Sequence, residues 1–299
     1  NSSFSDMKKF IYWSLAVLIT VSAAIYQRKT GPTYPKKYPV SLNGVSYNLK
    51  LVRSLGLDEE PEVKLSINDT SIRAKIYFRR YLSKDDFQTA DFNFRSKPVH
   101  SFVMNKIFKI NKEEGFFAEV PQQPAAGKIE YYFEITDRAG TTSHLKESPV
   151  VIRFKGGVPA SILIPHIFFM FLAMLFSNLS GLLAVFRVPL FRKYTMWTFV
   201  SLSIGGMILG PLVQLYAFGD LWTGIPFGWD LTDNKTLIAF VFWILAVVMN
   251  RKKERPIYTI LAAVVLLLIY SIPHSMFGSQ LDYNTGSFTQ VMIMNLFVF

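Results

Sequence analysis

The residues best suited to chemistry in this chain are two histidines at the edges of apolar runs, His166 in PHIFFMF and His274 in IPHSMFGSQLDY. Two neutral imidazoles at one membrane depth are a permitted ligand set for b-type haem, or part of a copper or quinol site. Histidine is costly within lipid unless satisfied, which favours a role for it. Against a shared site, both positions lie near the interface, where imidazole meets water or carbonyl groups cheaply. A bulky pair, Phe168 and Phe169, also follows His166 where haem would favour small residues. The plainer reading is two separate interfacial histidines. A cofactor site for haem b or quinol at His166 and His274 is the alternative, and the sequence otherwise leaves the cofactor unknown.

A second constellation is the loop 218–234, FGDLWTGIPFGWDLTDN, dense in Gly, Trp, Phe and Asp. Trp222 and Trp229 suit the membrane–water interface. Asp230, with Asp233 three residues on, resembles the N-cap and acidic first turn of the helix that follows. Asp220 has no such explanation. The five residues form a candidate binding loop that covers a site opening outward; the plainer alternative is a re-entrant interfacial loop sealing a bundle. Arg79, Arg80 and Tyr81 close a strand and read as a solvated strand end with a cation–π contact. His100 and His144 fall in polar loops with no ligand-spaced neighbour. The chain has no phosphate-binding Gly loop, no HExxH and no nucleophile elbow, so no catalytic or metal-binding residue is assigned. With no Cys, disulfides, thiolate catalysis and Cys-ligated metals are excluded.

The elements that must position these residues are apolar runs. One spans Phe10 to Tyr26, and four more occupy most of Pro159 to Pro273. A backbone in lipid must satisfy its own hydrogen bonds, so a crossing segment is a helix of about 20 residues or a strand of a closed barrel. These runs lack period-2 alternation and read as helices at about 10–26, 160–185, 195–217, 235–250 and 257–273. Apolar residues make up 51% of the chain, too many for a soluble protein of this length, yet charged residues still make up 18%. That combination predicts an α-helical membrane protein of five spans with an all-β sandwich inserted after the first. Met7-Lys8-Lys9 has the look of a start site, and the run after it reads as an uncleaved anchor. A signal peptide ending near Ser22-Ala23-Ala24 is the alternative.

The formal charge of +11 does not require a nucleic-acid partner, because much of the excess sits in short loops beside the runs. Lys8 and Lys9, then Arg187, Arg192 and Lys193, then NRKKERP at 250–256 mark three basic segments that fall on one side when the runs are threaded in order. The positive-inside rule then gives N-terminus in, C-terminus out, with 31–158, the loop 218–234 and the tail 276–299 outside the cytoplasm. Four domains result: an anchor at 1–30, a β domain at 31–158, a four-helix bundle at 159–275 and an apolar tail at 276–299. Gly206 and Gly210, four apart with Ser201 and Gly205 beside them, form a notch for close helix packing within the bundle.

Between Tyr38 and Phe154, SYNLKLVRS, EVKLSI, RAKIYFRRY, FVMNKIFKI, GFFAEV, KIEYYFEIT and VVIRF read as short strands. Lys128 to Thr142, KIEYYFEITDRAGTT, resembles the late hairpin of immunoglobulin-like or fibronectin-III-like modules of bacterial surface proteins, an aromatic strand meeting a D-x-x-G turn. The resemblance covers only that hairpin and implies a sandwich fold and a binding role, but no reaction. Together these features predict an accessory or scaffolding subunit of a bacterial-type inner-membrane complex, its partners the lipid bilayer and other membrane subunits. A redox subunit carrying haem or meeting quinol is the alternative. A transporter is disfavoured by the lack of an internal repeat and of mid-membrane charge. The uncharged segment Phe288 to Phe299 is too short to span a bilayer and needs a covering surface: the interface, the sandwich of the same chain or another subunit, with a partner subunit or the interface favoured.

Overall fold

The computed structural model describes residues 2–99, 111–273, 280–283 and 288–289, and these fall into two compact units. Residues 33–156 with 280–283 and 288–289 form a β unit; residues 2–32 and 157–273 form a helical unit.

The β unit begins with a hairpin, β1 (Lys36–Leu42) and β2 (Val45–Leu51), closed by Asn43-Gly44. Both turn residues have positive φ, 49° and 80°, the mirror-image turn whose twist matches the flanking strands. The larger sheet runs β3 (Ser54–Gly56), β11 (Val150–Lys155), β9 (Lys128–Asp137), β5 (Arg73–Arg80), β6 (Gln88–Asp91), with β10 (Gly140–His144) also on β9. A three-stranded sheet orders β4 (Glu62–Leu65), β8 (Lys112–Glu119) and β7 (Asn93–Pro98). A short pair, β12 (Gln280–Leu281) with β13 (Phe288–Thr289), completes the unit. In β5 the alternation is clean: Ala74, Ile76 and Phe78 point inward between polar neighbours. They join Leu49, Leu51, Val63, Leu65, Phe116, Tyr131 and Phe133 in one core shared by the sheets, an arrangement consistent with a β-sandwich. Each fully buried side chain of this size stabilises the fold by about 1.5–3 kcal/mol.

Strands β2, β4, β5, β8, β9 and β11 coincide with apolar segments readable in the sequence. The segment FVMNKIFKI lies outside the described residues. Strands β6, β7 and β10 are polar and less buried, so no apolar alternation announces them, whereas β1 does alternate, with Val40 and Leu42 buried in the core.

The helical unit comprises α1 (Ser2–Thr30), α2 (Ala160–Val185), α3 (Phe191–Leu202), a π-helical segment (Ser203–Leu209), α4 (Gly210–Phe218), α5 (Leu231–Met249) and α6 (Pro256–Ser271). Among the described residues, four helical stretches are long and apolar enough to cross a membrane: Met7–Thr30, Ala160–Val185, Phe191–Phe218 and Leu231–Met249. The fifth apolar run forms a helix of 16 residues, shorter than the 257–273 span expected and ending before Pro273. At 1.5 Å per residue it covers roughly 24 Å.

Small residues let these helices approach. A Cβ on Gly181 would lie 2.8 Å from that of Ala263. Ala173, Ala239, Ala246 and Ala262 surround a fully buried Trp243. Polar bridges add specificity: Asn178 donates to Thr20 Oγ1 at 3.0 Å, and Thr20 Oγ1 donates to the Ala16 carbonyl at 2.7 Å. Asn178, which heads a glycosylation-type triplet, is thus a buried helix-packing residue.

Candidate functional site

At one end of the helical unit, Asp230, Asp233 and Asn234 converge on backbone groups that the bilayer could not satisfy, and Gln214 joins them through a hydroxyl. Asp230 precedes α5, and its carboxylate accepts the N–H of Thr232 at 2.8 Å and of Asp233 at 3.3 Å. Asp233 turns away from the helix and accepts the Thr223 N–H at 2.6 Å and the Thr223 hydroxyl at 3.2 Å. Gln214 in α4 donates to the same hydroxyl at 2.7 Å, and Asn234 Oδ1 accepts the Ile225 N–H at 2.7 Å. Asp230, Asp233 and Thr223 are all buried.

Gly224 is what allows this closeness, since a Cβ there would stand 2.7 Å from Asp233 Cβ and 2.9 Å from Asn234 Oδ1. Gly219, at φ 95°, ends α4 in the left-handed conformation that glycine adopts most readily. Trp222 is half-buried and donates its indole N–H to the Ile225 carbonyl at 3.1 Å. Trp229 and Phe227 project outward, 60% and 80% exposed, as aromatics do at a membrane–water boundary. Asp220 is half-buried and makes no hydrogen bond or ion pair among the described residues.

Lys235 was not singled out by sequence reasoning. It sits on the second turn of α5, is buried, and donates its ammonium to the Ile272 carbonyl at 2.9 Å, with the Pro273 carbonyl at 3.5 Å. A cation there meets the unpaired carbonyls and negative pole at the C-terminus of α6. The available signal was a lysine inside an apolar helix, which is costly unless its donors find acceptors.

His166 lies near the start of α2, one residue after Pro165. Its Nδ1 is 2.9 Å from the carbonyl of Gly205 in the π-helical segment. A carbonyl only accepts, so Nδ1 carries a proton, and in the neutral ring Nε2 is the nitrogen with the lone pair. The same carbonyl accepts the Gly210 N–H, the wider spacing of a π turn. Pro211 follows directly; it lacks an N–H and would clash with the carbonyl four residues back in a regular helix, which accounts for the π segment at this point. Gly205 and Gly206 are buried, with virtual Cβ positions 3.0 Å from Phe169 Cβ and Thr236 Cγ2 respectively. The glycine notch of the sequence is therefore packed against α2 and α5. His274 lies outside the described residues, so its relation to His166 is not placed.

In the β unit, Arg79 pairs with Glu130 at 2.6 Å and covers the Phe87 ring at 4.4 Å. Arg80 grips Asp85 through two nitrogens and lies 5.1 Å from the centroid of Tyr283. These contacts occupy the basic pair locally, and they hold the Asp85 carboxyl down at about 2. His144 is not an ordinary loop residue as the sequence suggested: it closes β10, stacks on Phe133 at 5.3 Å and has Tyr38 edge-on at 5.9 Å. Burial lowers its pKa. His100 lies outside the described residues. Among the described residues no group of three or more His, Asp or Glu is placed to hold a metal ion.

No family model matches the chain, and no curated protein matches it in sequence.

Proposed function

We propose that this protein is an accessory or scaffolding subunit of a larger membrane complex of the bacterial inner-membrane type. It docks partner subunits through its helices and its β unit. In this reading α6 serves as a fifth span, the N-terminus is cytoplasmic, and the β unit is an extracytoplasmic immunoglobulin-like or fibronectin-III-like sandwich. The charge pattern supports that topology, with Lys8, Lys9, Arg187, Arg192, Lys193 and the 251–255 cluster on one side. The β9–β10 hairpin, turning through Asp137 to Gly140 with Ala139 N–H on Asp137 Oδ1 at 2.8 Å, supports the sandwich class.

The observation that carries the proposal is the use made of the polar groups in the helical unit. Asp230, Asp233, Asn234 and Lys235 each bind backbone of their own unit, capping α5, stapling the 218–234 loop and capping α6. Side chains spent this way fasten a rigid platform, as a docking subunit requires.

A redox subunit is the second reading, favoured by one specific feature. Histidines that ligate metals commonly donate the other ring N–H to a carbonyl, which is the arrangement of His166 on Gly205. The visible absorption spectrum of protein extracted from native membranes separates the two. A featureless spectrum with stoichiometric partner chains supports the scaffold. A Soret band abolished by His166→Ala supports the redox subunit instead.

A further inference from the structure

The helical unit holds a cavity of about 420 Å³ where the start of α3 meets the end of α5 and the loop after it. Its polar side carries three cations, Arg192, Lys193 and Arg251, and its apolar side is Met196, Val247 and Val248. Among the described residues none of the three cations makes an ion pair, which leaves each able to meet an anion. Met196 and Val248 are 48% and 58% exposed, on helices long and apolar enough to lie in a bilayer.

The frame of this cavity is fixed. Arg192 Nη2 donates to the Arg251 carbonyl at 3.0 Å, tying the first turn of α3 to the α5–α6 connection. Behind it, Thr195 and Thr259 share a hydrogen bond at 3.1 Å, and Asn250 donates to the Ala246 carbonyl while accepting the Arg255 N–H. The three charges are thus gathered in a built recess and are not scattered on a flexible loop.

We infer that this recess binds the headgroup of an anionic glycerophospholipid. The phosphodiester sits between Arg192, Lys193 and Arg251, and the acyl chains run along Met196, Val247 and Val248. Guanidinium groups match phosphate oxygens in a forked geometry, and basic recesses between membrane helices are suited to such headgroups. A soluble phosphate would meet the same cations but would leave the apolar wall uncovered, which is why a lipid is the better fit.

The test uses the full chain in neutral detergent, with thermal stability followed as phosphatidylglycerol, phosphatidylcholine or inorganic phosphate is added. Phosphatidylglycerol should raise the Tm saturably, and phosphatidylcholine should not. The double variant Lys193→Gln with Arg251→Gln, which leaves the structural Arg192 in place, should raise the half-saturating concentration at least tenfold. Lys252→Gln with Lys253→Gln removes equal charge from the same loop outside the recess and should change it less than twofold. Equal losses in the two double variants would show diffuse surface attraction and overturn the site, as would inorganic phosphate reproducing the shift. Should the first variant not fold, the wild-type chain decides: photoactivatable phosphatidylglycerol should cross-link to peptides containing Met196 or Val247-Val248. Cross-links spread evenly over all helices would overturn the inference.

Discussion

The Asp233 carboxylate accepts the Thr223 N–H at 2.6 Å, joining the first buried turn of α5 to the middle of the loop that precedes it. Asp230, three residues earlier, faces the helix and caps it. Two carboxylates that look equivalent in the sequence therefore do different work, and substitution should separate them. Asp230→Asn should keep most of the stability because an amide oxygen still accepts the capping bonds, whereas Asp230→Ala should cost about 0.5–2 kcal/mol. Asp233→Ala strands a buried N–H and should cost about 1–3 kcal/mol. Unfolding of the purified protein in detergent, followed through tryptophan emission, gives the order directly. A larger loss at Asp230→Ala than at Asp233→Ala would show that the staple is unimportant.

Glycine substitutions probe the same loop from the other side. Gly224→Ala drives a methyl group into Asp233 and Asn234 and should cost about 1–3 kcal/mol by overpacking. Gly219→Ala meets no atom within 4 Å, so only the left-handed backbone penalty of about 1–2 kcal/mol applies. The distinguishing readout is Trp222, which leans on the crowded side: its emission should shift in Gly224→Ala and stay unchanged in Gly219→Ala.

Tyr283 anchors a C-terminal segment to the β unit with a single hydroxyl. It accepts the Lys128 N–H at 2.8 Å and donates to the Lys128 carbonyl at 2.9 Å, while Leu281 N–H reaches the Ala126 carbonyl at 3.2 Å. Tyr283→Phe keeps the ring beneath Arg80 but removes both bonds. Hydrogen exchange at the Lys128 amide should then accelerate, with the strand partners of β9 and β5 unaffected. An unchanged rate at Lys128 would mean the hydroxyl contributes nothing.

Lys128 also makes the β unit sensitive to alkaline pH. Burial, with the nearby Arg153 charge adding to it, lowers its pKa from the usual lysine range to about 8. The unfolded chain, with lysine near 10.4, binds more protons between about 8 and 10.4, so this group makes stability rise with pH across that window. Above about 10 the sign reverses, because burial raises the Tyr131 and Tyr283 phenols and the unfolded tyrosines ionise first. Melting of the sheet signal in the full chain at pH 7.5 and 9.5 should show the wild type gaining stability relative to Lys128→Met. Parallel pH profiles for the two would exclude Lys128 as the source.

What was legible in the sequence follows from periodicity. Ala74, Ile76 and Phe78 alternate with Arg73, Lys75, Tyr77 and Arg79, and that pattern reveals β5 and its inward face together. The run 160–185 is predominantly apolar and coincides with α2 residue for residue. Strands such as β6, with Gln88 and Thr89 exposed, pair through backbone alone and leave no such mark. The candidate loop shows the same division. Asp230 stands at a spacing that local helix chemistry dictates, whereas Asp233 to Thr223 and Lys235 to Ile272 join residues distant in sequence, and only the packed helices bring them together. Nor does any local pattern place Tyr283 against Lys128, 155 positions away.

The central claim is that this chain is a fastened platform for other membrane subunits, and native assembly size tests it most directly. The tagged protein, extracted from its own membranes in a mild detergent, should be measured by native mass spectrometry with its associated chains identified. The account predicts a complex well above the 34.2 kDa of the chain alone, containing other membrane proteins in fixed stoichiometry. Recovery of the folded chain only as a monomer, with bound lipid but no protein partner after chemical cross-linking in the intact membrane, would contradict it.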